Sequence, residues 1–230
     1  MIKVTTERSS TLMNRTPYVL ERELADVPDA VRNAPAPVVP AFEYPFDLRV
    51  VDPEGVDPET ITEWMHRPHL LETWEQAWPS EQRRLNCRAQ LAGTYSRPCI
   101  LSFDFAAIDL PELGRREVAY IELYRAAKDE IGQLYHADPH DMGFHIATAD
   151  LNLIGRGVMS GWVGQLGRNI LAAEPECRRV MGDPDHRNTA IRKTFEKNSW
   201  PHLGDFDVRP GRRISLYTFP RDPSDIPAGR

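Results

Sequence analysis

A glycine turn between a strand signal and a helix signal constrains this chain most. Met142–Ala149 is rich in β-formers, and a helical run ends near Ala173. Between them lies Asn152-Leu-Ile-Gly155-Arg156-Gly157-Val-Met-Ser160-Gly161, and past the helix Arg179–Asp183 reads as another short strand. Strand, tight turn, helix and strand make a β-α-β unit, which belongs to a sheet protein rather than a bundle. Glycines let the backbone turn sharply and approach a ligand closely. The helix start offers unpaired amides and a positive dipole end, so the segment suits a pyrophosphate, with Arg156 placed to add a charge-assisted bond. It is neither a P-loop, since Gly-Lys-Ser/Thr is missing, nor G-x-G-x-x-G. A purely structural glycine turn fits the same letters.

The rest of the chain extends this unit. Phe46–Val51 reads as a strand, and Pro58–Met65 as a helix with Asp57 as N-cap and proline at its first position. Ser80–Leu91 reads as a second helix, capped by Ser80, with Leu85, Ala89 and Ala92 as its apolar stripe. Cys99–Phe105 and Val118–Tyr124 are strands joined by a polar insertion, Ala106–Glu117. Asn188–Asn198 is the last helix, and His202–Val208 and Arg213–Phe219 are closing strands around the Pro210-Gly211 turn. The order β-α-α-β-β-β-α-β-α-β-β predicts an α/β (α+β) domain around one mixed sheet.

Residues 1–45 look different. The chain carries 20 prolines, and Pro28, Pro35, Pro37, Pro40 and Pro45 fall within eighteen residues. Each removes an amide donor and biases the residue before it to extended geometry. Leu20, Leu24, Val27 and Val31 keep helical spacing over Tyr18–Asn33, interrupted by Pro28, and Ala34–Pro45 reads as an extended strap. Residues 1–45 are thus an N-terminal extension and residues 46–230 the domain proper; a disordered tail is the competing expectation.

Several classes fall away. No run approaches the roughly 18 apolar residues of a membrane helix, and Met1–Arg8 lacks the apolar stretch of a secretory signal. The net charge is −6 with no basic block longer than Arg-Arg, which argues against a nucleic-acid partner. Cys87, Cys99 and Cys177 are scattered, as expected of reduced thiols in a cytoplasmic protein. The tract His136-Ala-Asp-Pro-His140-Asp-Met-Gly-Phe-His145 invites a metal, but Pro139 breaks any helix there and His-Glu-x-x-His is absent, so no metal is expected.

Asn-x-x-Gly-x-Gly resembles the pyrophosphate loop of the GNAT acyltransferases, with Asn152 in place of the usual Gln or Arg. The element order is also theirs. Five segments resemble the siderophore branch of that superfamily, the lysine N-acyltransferases of mycobactin synthesis and the N6-hydroxylysine acetyltransferases of aerobactin synthesis. They are Glu63-Trp-Met-His-Arg-Pro-His69, Gln90-Leu-Ala-Gly-Thr-Tyr-Ser96, Tyr120-Ile-Glu-Leu-Tyr-Arg-Ala-Ala-Lys-Asp129, Tyr135 to His145, and Glu174 to Asn188.

The resemblance implies a sheet whose central strands splay around an acyl-pantetheine arm, with His145 and Asp183 on the two facing strands as catalytic base and its partner. It implies acyl-CoA, acetyl or longer, as co-substrate, or an acyl carrier protein as donor, and lysine or N6-hydroxylysine as acceptor; ornithine and diamines stay open. Gly155, Arg156, Gly157, Val158 and Gly161 would hold the pyrophosphate. Asn188 resembles the asparagine that bonds the pantetheine arm, and also fits a simple N-cap. Trp64, Trp74, Trp78 and Tyr95 fit an acceptor pocket or ordinary packing. Glu122, between Tyr120 and Tyr124 on one strand face, fits an acceptor ligand or an exposed sheet carboxylate. Arg178-Arg179 and Arg212-Arg213 read as solvated charges. A non-catalytic acyl-CoA-binding domain of the same fold is the rival to the enzyme.

Overall fold

A computed structural model describes residues 18–74, 76–149 and 156–227. Its strands are β1 (Phe46–Val50), β2 (Ser96–Asp104), β3 (Arg115–Arg125), β4 (Met142–Thr148), β5 (Arg179–Gly182), β6 (His202–Arg209) and β7 (Arg212–Pro220). They form one mixed sheet in the order β1-β2-β3-β4-β5-β7-β6. Neighbours are antiparallel except β4 and β5, the parallel pair of the β-α-β unit. Their ladder spans only Met142↔Val180, Gly143↔Met181 and Phe144↔Gly182. β4 runs on to Thr148 while β5 stops, so the sheet is open along the second half of β4.

The helices are α1 (Asp29–Arg32), α2 (Asp57–Met65), α3 (Pro68–Trp74), α4 (Ser80–Ala92), α5 (Val158–Ala173) and α6 (Thr189–Lys197). α5 and α6 cover one sheet face, where Phe144, Trp162, Val163, Leu166, Phe195 and Trp200 share a core with Ile121 and Leu123 of β3. α2, α3 and α4 cover the other, where Ile61, Trp64, Met65 and Trp74 pack on Ile100, Tyr120 and Ala147. Alternation along β3 therefore sends Ile121 and Leu123 to one core, and Tyr120, Glu122 and Tyr124 to the opposite face.

Several expectations change. Of the helix foreseen over Tyr18–Asn33 only Asp29–Arg32 forms: Pro28 is its N-cap, and the residues before that proline are not helical. α3 carries no signal in the sequence reading. Asp57 does not cap α2; its carboxylate accepts from Arg49 at 2.6 and 2.8 Å and from the Asp52 amide at 2.7 Å. Ser80 is the first residue of α4, whose N-cap is Pro79. The apolar stripe of α4 lies on the wrong side: Leu85 is exposed, and the buried face is Arg83, Asn86, Cys87 and Gln90. Arg179 is no solvated charge but a buried partner of Asp141 at 2.9 Å. The insertion folds into two short 3₁₀ turns, Phe105–Ile108 and Pro111–Leu113; Ile108 and Leu113 of the turns and Leu110 between them pack on the core on the α5 side.

The proline strap is tied down along residues 34–45. Buried Arg125 donates from Nε to Pro35 O at 2.7 Å and from Nη2 to Ala36 O at 3.1 Å. Lys128 Nζ donates to Arg32 O and Ala34 O, both at 3.1 Å, and Val38, Val39 and Phe42 pack on the main core. Donorless prolines leave strap carbonyls to be satisfied by side chains of the body, and two buried cations do so.

Candidate active site

His145 stands on β4 just past the last β4–β5 ladder pair, on the face shared with Glu122 and Tyr124. Its register partner across β3 is Glu122. Glu122 Oε2 lies 3.2 Å from His145 Nδ1, while Glu122 Oε1 accepts from Gln90 Nε2 and from the Tyr120 hydroxyl, each at 3.0 Å. Asp183, the residue after β5, puts Oδ1 3.4 Å from His145 Nε2 and accepts from the Tyr124 hydroxyl at 2.6 Å. The Tyr124 ring stacks on the imidazole with centroids 4.4 Å apart, and Trp74 meets it edge-on at 6.1 Å. Gly143 makes that stacking possible, because a Cβ there would fall 2.3 Å from Tyr124 Cζ.

A fourth charged group enters from the extension. Arg22 Nη1 lies 2.8 Å from His145 Nε2 and 3.2 Å from Nδ1. Asp129 closes the pocket beside it, accepting from the Tyr95 hydroxyl through Oδ2 and from the Ile131 amide through Oδ1 at 3.1 Å.

The electrostatics follow from this crowding. Burial works against the charged form of Glu122, but its bond to His145 and the nearby cations hold it down at about 2. Asp183 is likewise lowered, against burial, by the charge and hydrogen bond of His145, by Arg22 and by Tyr124. Burial, with repulsion from Asp183, pushes Asp129 up to about 6. Burial and Arg22 pull the His145 imidazole down; Asp183 and Glu122 outweigh them and raise it above its ordinary value. A base so placed is stronger than a free imidazole, and its carboxylates hold its orientation.

The glycine turn lies partly outside the described residues, Asn152 and Gly155 among them. Arg156 is exposed. Gly157 is the N-cap of α5 with φ 83°, and a Cβ there would meet nothing within 4 Å. Val158 is buried and opens the helix, so the unpaired amides are those at its first turn. Gly161 is not among them: its amide donates to Gly157 O at 2.8 Å. Asn188 caps α6, its Oδ1 accepting from the Ile191 amide at 3.3 Å. Cys87, Cys99 and Cys177 are free and buried, their thiols pushed up by burial to about 12, which removes a thiolate nucleophile.

Of the other expected residues, Trp74 borders His145 and Glu122 bonds it. Trp64 is a core residue among Ile61 and Met65. Tyr95 bonds Asp129 and meets the Tyr124 ring at 6.2 Å. His140 pairs with Glu174 at 3.2 Å and Glu176 at 2.9 Å. No group of three or more His, Cys, Asp or Glu able to hold a metal ion occurs among the described residues. Arg22, Tyr124 and Asp129 were not singled out in the sequence. The one-face spacing of Tyr120, Glu122 and Tyr124 could have found Tyr124; nothing local marks Arg22.

Residues 54–208 match the model of the Acetyltransferase (GNAT) domain family. The chain is 46% identical over 209 residues to the lysine N-acyltransferase MbtK of Mycobacterium sp. (strain MCS), covering 91% of this chain and 81% of that protein. The chain belongs to the GNAT acetyltransferase family. To MbtK of Mycobacterium tuberculosis (strain ATCC 25618 / H37Rv) it is 43% identical, covering 86% of this chain and 88% of that one. The N(6)-hydroxylysine O-acetyltransferase of Escherichia coli is 27% identical over 73% of this chain and 50% of its own length. Among solved structures, aminoglycoside acetyltransferase AAC(6')-Ib in complex with coenzyme A superposes with a TM-score of 0.63 at 20% identity, covering 76% of this chain and 95% of that one. This GNAT acyltransferase has no helix, among the described residues, long and apolar enough to cross a membrane.

Proposed function

We propose that the protein transfers an acyl group from acyl-CoA, or from the same thioester on an acyl carrier protein, to the side-chain nitrogen of lysine or N6-hydroxylysine in hydroxamate siderophore synthesis. The observation that carries this reading is the Glu122–His145–Asp183 constellation beside the open edge of β4, in a chain so similar to proteins named lysine N-acyltransferase. The pantetheine arm lies along that edge, where β4 backbone amides past Phe144 polarise the thioester carbonyl. The pyrophosphate rests on the turn from Gly155 through Arg156 and Gly157 to Val158, and Asn188 faces the arm.

A lysine ammonium with pKa about 10.4 is neutral roughly once in 2,500 at pH 7, a cost of about 4.6 kcal/mol. The ammonium first loses one proton through His145 to solvent, and His145 takes the second as the neutral amine attacks. The N–C bond forms, the C–S bond breaks, and the proton is delivered to the departing sulfur, giving amide and free thiol. Asp183 stabilises the imidazolium, and Glu122 holds the ring from its other nitrogen. With every cysteine buried and protonated, attack is direct and needs no acyl-enzyme.

The test crosses acetyl-CoA, long-chain acyl-CoA and acyl carrier protein with lysine, N6-hydroxylysine, ornithine and a diamine, reading free thiol and product mass. Acceptor-dependent thiol release with a side-chain amide on lysine or N6-hydroxylysine is expected. Tight CoA binding with no turnover on any acceptor would make this a non-catalytic domain instead.

A further inference from the structure

Arg22 takes no part in the transfer just described, yet its guanidinium sits against the base. Its Nη1 is 2.8 Å from His145 Nε2. Glu122, Asp129 and Asp183 supply the negative charge around it. A guanidinium keeps its protons in proteins and can only donate, so it bonds Nε2 of the neutral ring, whose proton is then on Nδ1 toward Glu122; Asp183 receives an Nε2 proton only from the imidazolium. A substrate ammonium about to lose a proton to His145 has to make the same contact: a cationic N–H at hydrogen-bond distance from the imidazole, among carboxylates that match its charge. The protein's own arginine already makes that contact.

We infer that Arg22 is an internal occupant of the subsite for the acceptor's cationic nitrogen, walled by Glu122, Asp129 and Asp183, and that the segment 18–27 must withdraw it before the acceptor binds. The inference rests on the acyltransfer reading and adds how the acceptor is recognised and admitted. Removing Arg22 leaves three carboxylates around His145 that an incoming ammonium re-pairs, so one cation exchanges for another.

The segment is held lightly enough to move. Its backbone meets the body where the Leu24 amide donates to Lys128 O at 2.8 Å and where Glu23 bridges Asp129. Leu20 is buried, but Val19 is largely exposed. Beneath the segment runs a groove of about 430 Å³, lined by Leu20, Leu24, Val27, Thr94 and Lys128, so its apolar side is incompletely filled. Leu20 and Tyr18 pack on the core cluster beneath it, and Arg22 is the contact an acceptor displaces.

The experiment is calorimetric titration of n-butylammonium, without acyl donor, into the full chain as wild type, Arg22→Gln, Arg22→Lys and Leu24→Pro. Arg22→Gln is expected to bind at least tenfold tighter than wild type, and Arg22→Lys, which keeps a cation, within about threefold of it. Leu24→Pro replaces no residue of the subsite but removes the amide donor to Lys128. It should tighten binding several-fold, and it carries the test if Arg22→Gln fails to fold. Equal or weaker binding in whichever of Arg22→Gln and Leu24→Pro folds overturns the inference. In turnover, the acceptor KM should fall in Arg22→Gln with the donor KM unchanged. Butylammonium binding needs no chemistry, so expected binding without any acylation sinks the acyltransfer reading and leaves the subsite. Lysine acylation with an acceptor KM indifferent to Arg22→Gln sinks the occupant alone.

Discussion

Glu122 and His145 face one another across the β3–β4 ladder, and Glu122 Oε2 holds His145 Nδ1 at 3.2 Å. Because register places the pair, the orientation of the base is built into the sheet rather than into a loop. That leaves Nε2 toward Asp183 and the position Arg22 now fills.

Replacing the base is the most direct test. His145→Ala should lower kcat on lysine by about 10²–10⁴-fold, the usual size of general-base catalysis, with donor affinity nearly intact. On N6-hydroxylysine, whose nitrogen is far less basic, the loss should be smaller. A variant within threefold of wild type on both acceptors across the pH profile would make His145 a packing residue.

The pH profile carries a sign. The base works unprotonated, and its carboxylate neighbours raise the His145 pKa, so the acidic limb of kcat/KM should lie above the ordinary histidine value near 6.5. Asp183→Asn and Glu122→Gln each remove a raising charge and should move that limb to lower pH while reducing the rate. A limb that stays in place in both variants would assign it to another group.

Gly157 tests the donor cradle. Its φ of 83° strains any residue with a Cβ, and that Cβ would point into open space at the start of α5. Gly157→Val should raise the donor KM sharply and leave the acceptor KM alone in protein whose unfolding transition shows it folded. Unchanged donor binding in that folded protein would move the pyrophosphate elsewhere.

Gly143→Ala probes the stacking partner of the base. A Cβ at 2.3 Å from Tyr124 Cζ forces the ring off the imidazole or bends β4. Overpacking of this kind typically costs about 1–3 kcal/mol. Denaturant unfolding should show that loss and steady-state kinetics a lower kcat; wild-type values in both would mean that the stack has no part in positioning His145.

The strap should depend on Arg125, whose guanidinium also meets Glu174 at 2.7 Å while its side chain is wholly buried. Arg125→Met abandons a buried carboxylate and two strap carbonyls. Breaking such a pair costs about 3–5 kcal/mol. Hydrogen exchange over residues 34–45 should accelerate in the same variant, and unchanged protection there would show that apolar contacts alone hold the strap.

Local chemistry determined a good part of this protein in advance. The glycine turn between strand and helix, Pro210-Gly211 between the last two strands, and the proline cluster after residue 28 specify backbone geometry through φ and missing donors, which need no tertiary partner. The strand bearing His145 and the face shared by Tyr120, Glu122 and Tyr124 were legible for the same reason: period-two alternation is a property of one strand. Which residue of another element meets that face is not. Only strand register set Glu122 opposite His145, and the buried face of α4 defied its apolar stripe because Gln90 reaches Glu122 and Arg83 reaches Gln76, partners outside the helix. Arg22 reaches His145 across 123 positions, from a segment whose helical spacing formed no helix before Pro28. Contacts of that kind are decided by how the whole chain buries its apolar surface and pairs its buried charges, and no window of the sequence contains both partners.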